Sequence, residues 1–111
     1  MKIESQKYND IMVLQLQGEF TAESLKSFED ETSNIFASKI DGIVLDMTKV
    51  TLMDSQALEH LLELSERCRE NTRQFKIAGL DETCTKILEI TRLLPKFDTY
   101  AELTEAVKSF A

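Results

Sequence analysis

The chain has 111 residues, which is enough for one domain with a sizeable hydrophobic core. Its formal net charge of −7 argues against a nucleic-acid backbone or an anionic membrane surface as the main partner. The N-terminal residues Met1–Glu4 lack the apolar segment of a signal peptide, and no apolar run approaches the roughly 20 residues of a membrane-spanning helix. We therefore expect a cytoplasmic protein that neither binds nucleic acid nor inserts into a membrane.

The N-terminal third of the chain predicts a β-hairpin followed by a helix. Residues 2–8 and 11–17 have the character of two strands, and the turn-forming pair Asn9-Asp10 lies between them. Thr21 is a suitable N-cap for the first helix. The buried stripe of this helix is predicted to contain Leu25, Phe28, Thr32, Ile35 and Phe36.

The middle of the chain predicts two parallel strands joined by a helix. The unbroken apolar run at residues 43–45 is typical of a central strand that is buried on both faces. A helix from Ser55 to about Asn71 follows it, and the next strand runs from Phe75 to Ala78. A helical connection of this kind is what parallel strands require. The core side of the helix is predicted to contain Leu58, Leu61, Leu62, Ser65 and Cys68.

The last third of the chain predicts two more helices with a short segment between them. The third helix begins near Asp81 and is stopped by Pro95. Residues 96–98 form a short connection or an edge strand, and Thr99 and Glu102 have the spacing of a capping box for the last helix. This helix is predicted to bury Leu103, Ala106, Val107 and Phe110.

Motifs for catalysis, cofactors and metals are missing from the sequence. It contains no glycine-rich nucleotide motif and no G-x-S-x-G around any serine. His60 is the only histidine, and no second ligand lies at metal-binding spacing from it. Cys68 and Cys84 are too few for a disulfide framework, so we expect two reduced and buried thiols. The sequence thus predicts a protein that is not an enzyme and that carries no cofactor or metal.

The pair Asp54-Ser55 stands where the second helix begins. A serine at an exposed helix N-terminus lies where free backbone N–H groups and the helix dipole favour an added anion, so the position suits phosphorylation. Serine and aspartate are also the commonest helix caps, and this local pattern by itself more often indicates a cap. Both interpretations of Ser55 stay open on the local pattern.

The order of the motifs resembles the STAS domain, the module of sulfate transporters and anti-sigma factor antagonists. After the strand at 43–45 come Asp46, Thr48, a hydrophobic pair, Asp54-Ser55 and then several helical leucines. Further segments that follow the family order are Gly18-Glu19-Phe20, residues 76–80, residues 87–91 and Phe97. The resemblance therefore covers essentially the whole chain.

The predicted elements and the resemblance give the same architecture. A mixed sheet arises because the initial hairpin is antiparallel and the later strands are parallel. We expect an α/β fold, a single STAS domain over residues 1–111, with a four- or five-stranded mixed sheet and about four helices packed on it.

The resemblance also implies a function. In anti-sigma factor antagonists of this family, the serine that follows the aspartate is phosphorylated by an anti-sigma factor with serine kinase activity. The unphosphorylated domain binds that partner, the phosphorylated domain releases it, and a serine phosphatase resets the switch. We therefore expect phosphorylation at Ser55 in a monomer or weak dimer. The implied partner-binding residues are Gly18, Glu19, Thr21, Asp54, Ser55, Gln56, Ala57 and Glu59.

Three positions differ from the pattern of phosphorylated family members. Thr21 stands in place of an aspartate, and Gln56 and Ala57 replace a Ser or Thr and a glycine. Ala57 adds a methyl group where glycine allows a partner backbone to approach closely. Because of these differences the sequence keeps a second interpretation, a STAS adaptor or scaffold subunit that is not phosphorylated, as in ABC-transporter-associated or stressosome-like assemblies. In that case Ser55 is an ordinary helix cap.

Overall fold

The protein is described by a computed structural model that covers residues 1–110, so that Ala111, the last residue of the expected domain, lies outside it. The strands are β1 (Lys2–Tyr8), β2 (Ile11–Phe20), β3 (Gly42–Met53), β4 (Gln74–Ala78) and β5 (Asp98–Tyr100). The helices are α1 (Leu25–Phe36), α2 (Ser55–Glu70), α3 (Glu82–Ile90) and α4 (Leu103–Lys108). The expected α/β architecture with a mixed sheet and four helices is confirmed. No helix within residues 1–110 combines the length and apolar character needed to cross a membrane.

The five strands lie in the sheet in the same order as in the chain. β1 pairs with β2 in antiparallel fashion, and the tight turn between them has Asn9 in the left-handed region at φ +54°. All the later pairings are parallel, and a helix connects each of these pairs of strands. The predicted hairpin and parallel crossover are therefore correct.

Apolar residues on both faces of the sheet form two hydrophobic clusters. The larger cluster joins strand residues such as Leu14 and Leu45 to side chains from α1, α2 and α3. The smaller cluster joins Val13 and Val44 to Ala106 of α4 on the opposite face. Neighbouring residues of β3 thus point into different clusters, as the unbroken apolar run predicted.

Strands β2 and β3 are longer than the sequence pattern indicated. β2 continues past Gly18, which adopts φ +108° and adjoins a shift in the pairing with β3. Gly18 therefore lies in a bulge within the strand, and the predicted strand end at residue 17 is wrong. The extended pairing places Phe20 opposite Met53, directly before the segments that lead into α1 and α2.

Two predictions in the C-terminal third are wrong. α3 ends at Ile90, well before Pro95, because Arg92 adopts a left-handed conformation at φ +61° and terminates the helix. The capping box does not form, since Thr99 is committed to the ladder of β5 with β4, and Glu102 precedes α4 without a capping hydrogen bond from its side chain.

The helices bury half of the residues predicted for the core, and the other half are only partly buried. Leu58, Leu61 and Cys68 of α2 are buried, whereas Ser65 is only half-buried and Leu64 takes its place in the core. Cys68 and Cys84 are buried free thiols, as expected, and burial raises the pKa of Cys68 to about 11 and that of Cys84 to about 12. The predicted core residues that are only half-buried are Leu25, Phe36, Leu62, Leu103, Val107 and Phe110.

Candidate functional site

The candidate site is the surface where β2 ends and α2 begins, and we call it the Ser55 surface. Two hydrogen bonds bring the separate segments together at this point. The Asp54 N–H donates to the Phe20 carbonyl at 3.2 Å, and the Ala22 N–H donates to Asp54 Oδ2 at 2.9 Å. The Ser55 surface comprises exposed Glu19, Ser55, Gln56 and Glu59 together with half-buried Gly18, Thr21 and Asp54.

Asp54 is the central structural residue of this surface. Its Oδ1 atom accepts a hydrogen bond from the Ala57 N–H at 2.9 Å, so Asp54 is the N-cap of α2. Its Oδ2 atom holds the Ala22 N–H of the segment before α1. The hydrogen bonds from Ala57 and then Ala22 favour the charged carboxylate and lower the pKa of Asp54 below its ordinary value of 3.8. One carboxylate therefore fixes two chain segments at the same time.

Ser55 is the first residue of α2 and is exposed. Because Asp54 provides the capping oxygen, the interpretation of Ser55 as the helix cap is wrong. The N–H groups of Ser55 and Gln56 belong to the first turn of α2, where no preceding turn supplies acceptors for them. An anion attached to the Ser55 hydroxyl would meet these donors and the positive end of a 16-residue helix.

Two of the implied partner-binding residues have side-chain environments that differ from the expectation. Ala57 is 0% exposed and belongs to the main hydrophobic cluster, so its methyl group is not available to a partner. Thr21 is half-buried and its side chain makes no capping hydrogen bond, because the carboxylate of Asp54 serves the adjacent Ala22 N–H instead. Thr21 does occupy the N-cap position of the 3-10 turn Ala22–Ser24 that leads into α1, as predicted, but its hydroxyl does not provide the capping hydrogen bond.

An exposed apolar residue adjoins the Ser55 surface and was missed by the sequence analysis. Leu52 is 40% exposed and lies opposite Glu19 in the pairing of β2 with β3. The strand was predicted only for residues 43–45, so the direction of the Leu52 side chain could not be inferred. No simple alternation in the sequence marks its exposure, since the buried residues Val50 and Met53 are three positions apart in the strand.

His60 connects α2 to α1 close to the Ser55 surface. Its Nε2 atom lies 2.5 Å from Glu29 Oε1, and its Nδ1 atom lies 3.0 Å from the Gln56 carbonyl. Both neighbours are acceptors, and donation by both ring nitrogens requires the positively charged imidazole. Burial opposes this charge, but the hydrogen bonds to Glu29 and Gln56 and the nearby carboxylate of Glu63 outweigh it and raise the pKa of His60 above 6.5.

Raising the pH is expected to remove the stabilisation that the pair His60–Glu29 provides. A raised pKa stabilises the fold fully below the ordinary value of 6.5, and the contribution disappears as the pH rises through the higher folded value. At pH 6, Glu29→Gln should lower the free energy of unfolding by less than about 1 kcal/mol, as for other exposed pairs. Urea unfolding at pH 6 and pH 9 tests this. Asp30→Asn is the control, and an equal effect of Glu29→Gln at both pH values contradicts the assignment.

The comparison with protein families agrees with this geometry. The STAS domain model matches residues 2–106, which is nearly the whole chain. Within residues 1–110, no group of three or more His, Cys, Asp or Glu side chains is arranged to hold a metal ion.

Several solved structures have the same fold at low sequence identity. An anti-sigma factor antagonist from Mycobacterium paratuberculosis has a TM-score of 0.87 at 18% identity, over 97% of this chain and 92% of that one. SpoIIAA of Bacillus in its unphosphorylated form has a TM-score of 0.84 at 16% identity, over 98% and 96% of the two chains. A sulfate transporter family protein from Wolinella succinogenes has a TM-score of 0.80 at 12% identity, over 92% and 85%. With its family match and its five-stranded fold, this chain belongs to the STAS domain family.

Proposed function

We propose that this STAS domain is an anti-sigma factor antagonist that binds an anti-sigma factor with serine kinase activity and releases it when Ser55 is phosphorylated. The observation that carries the proposal is the exposure of Ser55 at the first residue of α2, with the capping role taken by Asp54. The hydroxyl is therefore accessible to a kinase, and its modification removes no capping bond.

The electrostatics of the Ser55 surface explain how one phosphate could change binding without changing the fold. A phosphate adds about −1.5 to −2 charge at pH 7. The first-turn N–H groups and the dipole of α2 favour this charge. The carboxylates of Glu19, Asp54 and Glu59 lie on the same surface and make its total charge strongly negative after phosphorylation. The fold tolerates the phosphate, while a partner matched to the unmodified surface loses its complementarity.

The partner-binding surface that we propose includes the residues of the Ser55 surface and adds Leu52. Exposed Leu52 gives this acidic surface an apolar contact, a combination that suits a partner with basic residues around an apolar pocket. A serine phosphatase that removes the phosphate completes the proposed cycle, which takes place in the cytoplasm. Ala57 is left out because it is buried.

A non-phosphorylated STAS adaptor is the second candidate function. It is favoured by Thr21, a neutral residue where phosphorylated members usually carry an acid, and by the similarity in fold to a protein of the sulfate transporter family. In an adaptor the same surface would be a permanent contact. Ser55 would then be an unmodified residue of the first helical turn.

A pull-down from native lysate tests the proposal with four baits, which are the parent, Ser55→Ala, Ser55→Asp and Thr83→Asp. Thr83 is an exposed residue in the first turn of α3, whose N-cap Asp81 matches Asp54, so it controls for an added charge at a helix start. We expect the parent, Ser55→Ala and Thr83→Asp to retain a kinase-like protein that Ser55→Asp loses. Recovery of the same partner by all four baits would contradict the switch and favour the adaptor.

A further inference from the structure

A cleft with three cationic side chains lies at the opposite end of α2 from Ser55. It is formed by the C-terminal half of α2, the start of β4 and the short turn before Phe97, and its volume is about 480 Å³. Cavities of about 300–1,000 Å³ are the usual size for small organic ligands. Arg69, Arg73 and Lys96 line it, and we call it the basic cleft. Arg69 lies 14 residues after Ser55 on the same helix, or about 21 Å along its axis.

The charge of the basic cleft is opposite to that of the protein as a whole. The chain has a net charge of −7, yet three cations and only one carboxylate, that of Glu66, line this cleft. Among the residues 1–110, none of the three cations has a carboxylate oxygen within ion-pair distance. Unpaired cations that converge on a concave surface raise the local concentration of anions.

Arg73 is held in place, but one of its hydrogen-bond donors has no acceptor in the described part of the chain. Its Nη2 atom donates to the Ser38 carbonyl at 3.1 Å, and its guanidinium lies 5.2 Å from the centre of the Phe36 ring. Its Nη1 atom is buried and has no hydrogen-bond partner in the described part of the chain. A buried donor without an acceptor is costly in a native protein, so the Arg73 guanidinium retains unused hydrogen-bonding capacity next to the cleft.

One part of the wall of the basic cleft is apolar. Leu62 and Phe75 line it and are half-buried, and the Phe75 ring packs edge-on against Phe97 at 6.2 Å between ring centres. This packing fixes the orientation of the Phe75 ring. A ligand that fits both parts of the cleft needs an apolar or aromatic body and an anionic group at one end.

We propose that the basic cleft binds a small organic anion, with a phosphate or carboxylate held by Arg69, Arg73 and Lys96 and an aromatic body against Phe75. The guanidinium forks of two arginines suit the oxygens of either group. The proposal is independent of Ser55 phosphorylation, because the two sites share no residue.

NMR titration of the ¹⁵N-labelled protein at constant ionic strength tests the proposal with three probes: phenyl phosphate, benzoate and inorganic phosphate. We expect saturable shifts of the amide signals of Arg69, Arg73 and Phe75, with unchanged signals at Ser55. If phenyl phosphate binds more tightly than benzoate, the natural ligand carries a phosphate, and the opposite order indicates a carboxylate. Inorganic phosphate should bind more weakly than phenyl phosphate, and equal binding would overturn the role of the apolar wall.

The double variant Arg69→Gln/Lys96→Gln should weaken binding of the preferred probe about tenfold or more, since two charge-assisted contacts are lost. Lys86→Gln, which removes an exposed cation from α3, is the matched control and should bind as the parent does. Unchanged melting temperatures of both variants show that the fold is intact. Unsaturable shifts with every probe, or equal affinity of the double variant and the parent, would overturn the proposal.

Discussion

Phe20→Ala is expected to lower the free energy of unfolding by about 3–5 kcal/mol, the usual cost of removing a buried phenylalanine ring. Phe20 is 0% exposed, and its ring lies 4.8 Å from that of Phe28 in a tilted arrangement. The loss is a large fraction of the roughly 5–15 kcal/mol that stabilises a domain of this kind. Urea unfolding followed by circular dichroism measures it.

The control for Phe20→Ala is Ile90→Ala, because Ile90 is the large apolar side chain with 73% exposure at the end of α3. Its substitution should change stability by less than about 0.5 kcal/mol. The backbone carbonyl of residue 20, which accepts the Asp54 N–H, remains in the variant, so any effect on the Ser55 surface would come from movement of the backbone at this position. A loss below about 1 kcal/mol for Phe20→Ala would mean that the core around it closes over the missing ring.

Asp54→Ala is expected to abolish partner binding although Ser55 remains in place. The substitution removes the acceptor for the Ala57 N–H and the acceptor for the Ala22 N–H together. Hydrogen exchange at these two amides should become faster, and the melting temperature should fall by about 5 °C. Exchange measured by NMR and the pull-down described above provide the two readouts.

Asp81→Ala is the control that separates the two roles of Asp54, which are capping a helix and joining two chain segments. Asp81 caps α3 through the Cys84 N–H at 2.7 Å, and within residues 1–110 its carboxylate accepts no hydrogen bond from another segment, so its removal should destabilise α3 and leave partner binding unchanged. In the parent, the contribution of Asp54 is present above pH 3.8 and is lost as the pH falls through its lowered folded pKa. Loss of partner binding in both variants would indicate that general destabilisation, not the Asp54 contact, is responsible.

The fold was largely predictable because its signals are local. The hairpin turn at Asn9-Asp10 requires only that one residue between the two strands adopts the left-handed conformation. The apolar run at 43–45 indicates burial on both faces by itself. The lengths of β2 and β3 were not predictable, since they depend on pairing between segments over 30 residues apart. Thr99 was misjudged for the same reason. Its local sequence suits a helix cap, but pairing of its backbone with Ile77 of β4 prevails.

The site was predictable in its location but not in the roles of its residues. Asp54-Ser55 marked the start of α2 correctly, yet which of the two caps the helix depends on side-chain geometry that spacing does not specify. The burial of Ala57 follows from the rotation of α2 on the sheet, which also buries Leu64 instead of Ser65. The contact of Asp54 with Ala22 joins residues 32 positions apart, and no local sequence pattern predicts it.

The identical order of the strands in the sheet and in the chain has a consequence for folding. Each new strand is added beside the one synthesised before it, so that no strand has to insert between two that are already paired. The segment from Ile11 to Glu70 contains both partners of the Asp54–Ala22 contact. Both partners of this contact are therefore synthesised before β5, which extends the sheet beside β4, and before α4, which packs on the opposite face.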